Sequence, residues 1–202
     1  MSRPTRFLLT QSLLGAWLYQ YKARDPKAAH KSFLKTLRRE HIPENQAIRD
    51  GIQFENMVSA YCDGTPPPDG HKWERGIREI GNEVKDCVLQ AALYKDIRID
   101  GLHFLLYGRL DALGAGKVYD IKFSRTYEPG KYLDSPQHPM YLELYPEAES
   151  FTYLVWTGKD VCRETYARRD TPPIESIIRP FISYLEFTGL DETYGKKWKA
   201  RD

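Results

Sequence analysis

Residues 104–124, which read FLLYGRLDALGAGKVYDIKFS, constrain the fold of this chain more than any other stretch. Two runs typical of β-strands flank a glycine-containing turn at residues 114–117, the arrangement of an antiparallel hairpin. A hairpin symmetric about this turn places Asp111 directly opposite Asp120. Two carboxylates that face each other across a ladder repel, and a divalent cation between them would remove the conflict. The hairpin therefore indicates a metal site; the alternative is an ordinary hairpin with acids on its solvated face.

The hairpin groups further polar residues with these acids, because side chains alternate between the two faces of a strand. Arg109 shares a face with Asp111, and Lys122 and Ser124 share a face with Asp120. In this position Arg109 suits two roles, a contact with a phosphate or an ion pair with a neighbouring carboxylate. The pattern does not choose between them.

The length and composition of the chain predict a single folded domain. The 202 residues are enough to bury a hydrophobic core. A hydrophobic fraction of 41%, with 14 tyrosines and 8 phenylalanines, excludes a disordered chain. We divide the domain, residues 1–202, into N-terminal helices at 1–62, a core at 72–168, and a C-terminal helix with a basic tail at 172–202.

The net charge of +2 is too small for the overall field of the protein to attract nucleic acid, so any such binding needs local basic patches. One candidate is a predicted helix at residues 27–39, which carries Lys31, Lys35 and Arg38 at helical spacing and could contact phosphates. Another is the tail around residues 196–201. A solvated basic helix face and a flexible tail are the structural alternatives.

Nothing in the sequence marks the chain for a membrane or for secretion. No apolar run is long enough to span a bilayer, and Thr10, Gln11 and Ser12 interrupt the N-terminal apolar segment. Three cysteines without a C-x-x-C pair argue against a disulfide framework, a zinc ribbon or an iron–sulfur cluster. We therefore expect a soluble, cytoplasmic protein without membrane partners.

Hydrophobic periodicity predicts helices before and after the hairpin. The clearest amphipathic helix spans residues 71–90, and a strand at 92–99 separates it from the hairpin. The proline-rich residues 63–70 form a loop, and a second hairpin turns at Gly158 and Lys159. Further helices are predicted at residues 10–21, 27–39, 44–62, 135–145 and 172–185.

Four short motifs follow one another along the chain and place acids, a lysine and an amide at fixed spacings. Together they resemble the PD-(D/E)XK nuclease superfamily, and within it the RecB-like branch that includes phage recombination exonucleases. The D-x-K triplet alone is a weak motif, and its combination with the other three is far more specific. The resemblance covers residues 51–141, and more loosely the opening TQSLLGAW. The motifs are Gly51-x-x-x-Glu55, Gly108-Arg-Leu-Asp111, Asp120-Ile-Lys122 and Gln137-x-x-x-Tyr141.

The resemblance implies an α/β fold with a restriction-endonuclease-like core, in which helices flank a central mixed β-sheet. It also implies a deoxyribonuclease that depends on Mg²⁺ or Mn²⁺, cations that bind hard carboxylate oxygens. Asp111 and Asp120 would be metal ligands. Glu55 would complete the site directly or through water, and the backbone carbonyl of Ile121 would face the metal. Lys122 would orient or help to deprotonate the attacking water and would stabilise the developing charge.

The resemblance also assigns residues to the substrate. Gln137 and Tyr141 are similar to the auxiliary pair of the family, which holds the substrate backbone or the lysine. Structural packing is the alternative for Tyr141. Ser124 and Arg125 are further candidate phosphate contacts, beside Arg109.

The helical acid narrows the resemblance. RecB proteins often carry histidine there, whereas phage exonucleases resemble this chain in using glutamate, here Glu55. The CRISPR-adaptation nucleases carry four cluster-binding cysteines, which the three scattered cysteines exclude. We therefore expect an exonuclease on duplex DNA ends in recombination or repair, forming a homo-oligomer and working with a single-strand annealing or recombination protein in a bacterial or phage-infected cell. A structure- or sequence-specific endonuclease and a catalytically silent DNA-binding subunit are the alternatives.

Overall fold

The computed structural model describes residues 5–200, in which seven α-helices surround one mixed β-sheet of six strands. The α/β class with a flanked central sheet is confirmed. Among the described residues, no helix combines the length and the apolar character needed to cross a bilayer. The strands are β1 (Arg6–Thr10), β2 (Val88–Ile99), β3 (Leu102–Gly114), β4 (Lys117–Phe123), β5 (Ser150–Trp156) and β6 (Val161–Ala167). The helices are α1 (Gln11–Tyr19), α2 (Pro26–Leu37), α3 (Gln46–Cys62), α4 (Glu74–Val84), α5 (Gln137–Leu144), α6 (Glu175–Thr188) and α7 (Asp191–Lys197).

The sheet is organised around β3. The strands follow the order β1-β3-β4-β5-β6, and β2 pairs with the other edge of β3. The pairs β1–β3 and β4–β5 are parallel, and the other neighbours are antiparallel. β3 therefore has three partner strands.

The first three helices begin at polar caps. The Thr10 hydroxyl, the Asp25 carboxylate and the Asn45 side-chain oxygen each accept a hydrogen bond from the backbone N–H three residues further on, at 3.3, 3.0 and 2.9 Å. Such a bond satisfies a donor that has no partner inside the helix.

Apolar side chains form one core on each face of the sheet. The first core joins α1, α2, α5, α6 and α7 to the sheet, and the second core joins α3 and α4 to it. Along β5, Phe151, Tyr153 and Val155 belong to the first core, and Leu154 and Trp156 belong to the second. Because side chains alternate along a strand, α3 and α4 lie on the face opposite to α5.

The face that α3 and α4 occupy is only partly covered. The second core reaches β4, β5, β6 and the adjoining ends of β2 and β3. Beyond it, Ala92 and Tyr94 of β2 and Arg109 of β3 are exposed, whereas Leu93 points to the first core. We call the surface formed by Ala92, Tyr94, Tyr107 and Arg109 the open half-face.

One edge of β3 contains a gap between two partner strands, which we call the fork. β1 pairs with residues 103–107 of β3, and β4 pairs with residues 112–114. Within the described chain, no strand pairs with residues 108–111 on that edge. α5 lies against the fork, where a Cβ atom on Gly108 would stand 2.7 Å from both Tyr141 and Leu144. A glycine at this position therefore lets the helix approach the sheet closely.

The side chains of β3 change faces at the fork. Leu110 belongs to the first core and Ala112 to the second, although simple alternation would place both on one face. The β2–β3 register skips Gln90 and Asp111, between the pairs Leu89–Ala112 and Ala91–Leu110, and the φ of 54° at Gln90 is unusual for a residue with a side chain. The distortion leaves the Asp111 side chain directed at the neighbouring strand β4.

One arginine fixes the C-terminal end of α5 beside the fork. Arg168 donates hydrogen bonds to the carbonyls of Ala148, Leu142 and Tyr145, at 2.6, 2.6 and 2.8 Å. Carbonyls in the last turn of a helix have no partner within it, so a guanidinium with several donors satisfies them well. The position of α5 thus depends on the residue that follows β6.

Two predicted features of the secondary structure are wrong. The helix predicted at residues 71–90 is α4 only from Glu74 to Val84; a turn follows, and the chain enters β2 at Val88. The side chain of Val88 is 64% exposed, so its helical spacing does not reflect packing. The sequence also does not predict β1, because three apolar residues, Phe7, Leu8 and Leu9, directly before a helix are too few to indicate a separate strand.

The basic tail is folded over its described part. Trp198 follows α7, is 6% exposed and donates from its indole nitrogen to the Leu37 carbonyl at 2.8 Å. Its backbone carbonyl accepts a hydrogen bond from the Leu8 amide at 2.6 Å, which ties the tail to β1. The interpretation as a flexible tail is therefore wrong up to residue 200, and Arg201 lies outside the described residues.

Two glycines offer a matched test of packing at the fork. Gly108→Ala should destabilise the protein by about 1–3 kcal/mol, because the added methyl group overpacks the contact with α5. Gly51→Ala is the control, because a Cβ there meets no atom within 4 Å. That change inside α3 should stabilise by about 0.5–1 kcal/mol. Urea unfolding measures both, and equal effects of the two changes would contradict the packing argument.

Candidate active site

Asp111 and Asp120 lie side by side at the fork. The β3–β4 ladder ends at the pair Ala112–Tyr119, so the two acids are the next pair in register, where the strands separate. They are 8% and 1% exposed. The amide of Ile121 donates to Asp111 Oδ2 at 2.7 Å and thus takes a side-chain acceptor instead of a strand partner. The register that the turn predicts is present, and the ladder stops at the acids.

Two side chains converge on Asp120. Lys122 Nζ lies 2.6 Å from Asp120 Oδ2, and Gln137 Nε2 donates to Asp120 Oδ1 at 2.5 Å. β4 presents the lysine two residues from the acid on the same face, and the first residue of α5 brings in the amide. The sequence motifs D-x-K and Q-x-x-x-Y therefore meet at one carboxylate.

The charges in the site act strongly on one another. Burial raises the pKa of the Asp111 carboxyl well above its usual range, and the charges of Asp120 and Glu55 raise it further. Burial alone would lower the pKa of Lys122, but the carboxylates of Asp120 and Asp111 outweigh it and raise that pKa above its usual value. The site thus combines a carboxyl that resists ionisation with an ammonium that stays protonated at neutral pH.

Glu55 stands at the border of the site. It lies on α3, and its Oε1 accepts a hydrogen bond from Gln90 Nε2 at 2.8 Å. The negative charge of Glu55 also raises the pKa of Asp111. Gln90 thus connects the distorted point of β2 with the helix that carries the third acid.

Tyr141 closes the fork from the side of α5. Its side chain is 3% exposed, and its hydroxyl donates to the backbone carbonyl of Arg109 at 3.1 Å. That carbonyl belongs to the part of β3 without a strand partner at the fork. Tyr141 therefore packs against β3, while Gln137 one turn earlier reaches Asp120, and a role of Tyr141 at the substrate stays a prediction.

The three candidate phosphate contacts differ in their surroundings. Arg109 is exposed and forms no ion pair within residues 5–200, so the ion-pair alternative for it is not realised. The Ser124 hydroxyl accepts a hydrogen bond from Lys131 Nζ at 2.7 Å. The Arg125 side chain is 69% exposed and lies 3.7 Å from the Asp50 carboxylate. Of these three candidates, Arg109 is the one exposed cation that has no acidic partner within residues 5–200.

Comparison with known proteins yields a likeness of fold alone. No protein-family model matches the chain, and no curated protein matches its sequence. Among solved structures, the chain is similar to SSO0001 at 15% identity, over 88% of this chain and 75% of that one, with a TM-score of 0.53. It is also similar to an alkaline exonuclease (LHK-Exo) from Laribacter hongkongensis at 16% identity, over 93% of each chain, with a TM-score of 0.52.

The chain shares its overall fold with the alkaline exonuclease. Its mixed sheet, flanked by helices on both faces, corresponds to the fold of the alkaline exonuclease over nearly the whole length of both proteins. The restriction-endonuclease-like core that the four motifs imply is thereby confirmed as a fold.

Sequence reasoning missed a group of hydrogen bonds around Glu164, which we call the clamp, beside the candidate site. Glu164 on β6 accepts hydrogen bonds from the Tyr127 hydroxyl at 2.9 Å, the Tyr132 amide at 3.1 Å and the Tyr166 hydroxyl. The ring of Tyr132 stacks on Tyr153 at 4.2 Å, and burial raises its pKa to about 12, while Lys122 and Asp120 also act on it. The clamp therefore holds the loop after β4 against the site. The high number of tyrosines between residues 127 and 166 is the feature of the sequence that could have indicated this clamp.

Asp111 and Asp120 supply oxygen ligands of the kind that Mg²⁺ and Mn²⁺ prefer. Asp120 Oδ2 is buried and accepts no hydrogen bond of ordinary geometry within the described chain, although Lys122 balances its charge. Among residues 5–200, no three Asp, Glu, His or Cys side chains converge into a complete ligand set. The donor chemistry fits a divalent cation held by two carboxylates, with other positions open to a third residue or water.

The raised pKa of Asp111 predicts how stability depends on pH. Above the ordinary aspartate pKa of about 3.9, the folded protein holds this proton more tightly than the unfolded chain, so its stability falls as pH rises. The side chain in Asp111→Asn does not ionise, so this fall in stability with pH is absent. Its carbonyl oxygen can still accept the hydrogen bond from the Ile121 amide. In chelator at pH 7–8 the variant should therefore melt at a higher temperature, by about 2–4 °C per kcal/mol gained.

Melting curves between pH 3.5 and 8 measure this difference, which should shrink toward zero near pH 4. Asp69→Asn, in the exposed proline-rich loop, is the control and should change stability by at most about 0.5 kcal/mol. A lower melting temperature for Asp111→Asn at pH 7 would show that the buried charge stabilises the fold.

Proposed function

We propose that this protein is a metal-dependent nuclease of the PD-(D/E)XK type that hydrolyses phosphodiester bonds in DNA. The observation that carries the proposal is the pair of buried carboxylates, Asp111 and Asp120, where two strands separate, with Lys122 bound to the second. Buried like charges are costly for a protein and have a use when a cation and a phosphate meet there. The likeness in fold to an alkaline exonuclease supports the same conclusion.

Asp111 and Asp120 would hold Mg²⁺ or Mn²⁺, and Glu55 and the Ile121 carbonyl would complete the ligand set. A cation bound there would neutralise charge on the phosphate and lower the pKa of water. Gln137 holds Asp120 in place through its amide, and the Ile121 amide does the same for Asp111. Both carboxylates are therefore oriented before substrate arrives.

Lys122 acts through its positive charge. Because its raised pKa keeps the ammonium protonated at neutral pH, it donates hydrogen bonds and does not accept a proton. It would stabilise negative charge that develops on the phosphate oxygens and orient the attacking water. Arg109, exposed and without an acidic partner, would bind a phosphate beside the scissile one.

The exonuclease class is part of the proposal. The glutamate at position 55 and the resemblance to phage recombination exonucleases favour action on duplex ends in recombination or repair. A homo-oligomer that encloses DNA would keep the enzyme on its substrate, and a single-strand annealing or recombination protein would take up its product.

The test compares linear with closed circular duplex DNA, each incubated with Mg²⁺, with Mn²⁺ or with EDTA. Linear DNA should be degraded to mononucleotides or short products in either cation, with circles left intact and no reaction in EDTA. Asp120→Asn should be inactive under every condition. Rapid nicking of closed circles would instead favour an endonuclease, and DNA binding without any cleavage would favour a silent subunit.

Substitution of the lysine separates chemistry from binding. Lys122→Ala should reduce the rate of cleavage by about 10²–10³-fold, the typical loss when one charge-stabilising donor is removed, while DNA binding in chelator persists. Lys117→Ala is the matched control, since Lys117 is exposed at the other end of β4. Circular dichroism establishes that both variants fold. Full activity in Lys122→Ala would remove the lysine from the mechanism.

A further inference from the structure

We propose that the open half-face is a stacking site for unpaired bases, so that the protein binds single-stranded DNA beside the active site. The site consists of Tyr94, Tyr107 and Arg109. The inference rests on the proposed function, which makes DNA the substrate, and adds the state of the strand and the residues that hold it. The bases would stack on the tyrosine rings while Arg109 binds the backbone.

Tyr94 and Tyr107 form a cross-strand aromatic pair. They lie directly opposite each other on β2 and β3, with ring centroids 4.8 Å apart and an angle of 31° between the rings. Tyr94 is 62% exposed, although large aromatic side chains are usually well buried. A pair of rings that faces solvent offers the π-surface on which nucleobases stack, irrespective of their sequence.

The charges on this face suit a polyanion. Arg109 is exposed two residues after Tyr107 on the same face, and it forms no ion pair within the described chain. The acid that β2 itself contributes to this side of the sheet is Asp96, which already contacts Arg6 and His103 at 3.2 and 3.0 Å. A phosphate at Arg109 would therefore not compete with the Asp96 carboxylate for the guanidinium.

Space above the rings is open. Ala92 lies opposite Arg109 in the β2–β3 register, so the side chain directly across the ladder from the arginine is a single methyl group. The side chains of Ala92 and Tyr94 are exposed because α3 and α4 pack farther along the sheet. Glu55 on α3, bound to Gln90, marks the near wall of this surface.

The distance from the rings to the acids fits a short stretch of single strand. Tyr107 precedes Asp111 by four residues, which is about 13 Å along a β-strand. Stacked nucleotides rise about 3.4 Å each, so about four of them separate the platform from the site. The bases of a duplex are already stacked on one another, whereas unpaired bases have free faces. The geometry therefore favours single-stranded DNA over a duplex as the occupant.

The test measures binding of a fluorescein-labelled thymidine oligonucleotide by anisotropy in EDTA, where no cleavage occurs. Tyr94→Ala should weaken binding by about 5- to 100-fold, the range found when one stacking ring is lost. Tyr94→Trp should bind as well as the wild type, because stacking needs the ring and not the hydroxyl. The control is Tyr19→Ala, which removes a tyrosine that is 55% exposed on α1 and should leave binding unchanged.

A blunt duplex of equal length is the second probe, and its affinity should change less than twofold in Tyr94→Ala. If Tyr94→Ala binds the single strand as the wild type does, the platform is refuted while the nuclease proposal stands. Equal losses for single strand and duplex would also overturn the choice of occupant. If the wild type cleaves no DNA but Tyr94→Ala loses single-strand binding selectively, the platform stands and the nuclease proposal fails.

Discussion

The hydrogen bond from the Ile121 amide to the Asp111 carboxylate is the interaction on which the fork depends. A buried backbone donor must find an acceptor, and where the β3–β4 ladder stops, a side chain supplies it. The two strands can therefore diverge without leaving the amide unsatisfied. The same bond favours the ionised form of Asp111, against the burial that disfavours it. One hydrogen bond thus both satisfies the backbone of β4 and influences the charge state of Asp111.

Side chains of α5 supply hydrogen bonds to the groups that the gap in the sheet leaves without strand partners. Tyr141 satisfies the unpaired carbonyl of Arg109, and Gln137 one turn earlier reaches Asp120. The close packing against Gly108 and the three bonds from Arg168 hold the helix at the required distance. An eight-residue helix cannot hold such a position by its intrinsic stability, so its support comes from the sheet.

Local signals in the sequence predict the elements that carry the acids, but not the surroundings of those acids. The turn at residues 114–117 sets the register, so the opposition of Asp111 and Asp120 follows from counting residues. Left-handed backbone at a glutamine has no signature in sequence, and so the change of faces at Gln90 could not be predicted. The bond between Glu164 and the Tyr132 amide joins residues 32 apart, beyond the reach of any periodicity. The roles of the site residues stay predictions.

The pairing of the tail with β1 determines how the outer edge of the sheet meets other molecules. An unpaired strand edge offers amides and carbonyls to any extended chain, and contact through such edges leads to aggregation. Here the Leu8 amide and the Arg6 carbonyl are bound by the backbone of Trp198 and Ala200. The Trp198 ring lies 4.2 Å beneath the Arg39 guanidinium, which helps to seat this segment. Proteolytic removal of residues 198–200 would therefore expose the edge of β1 and make it a template for self-association.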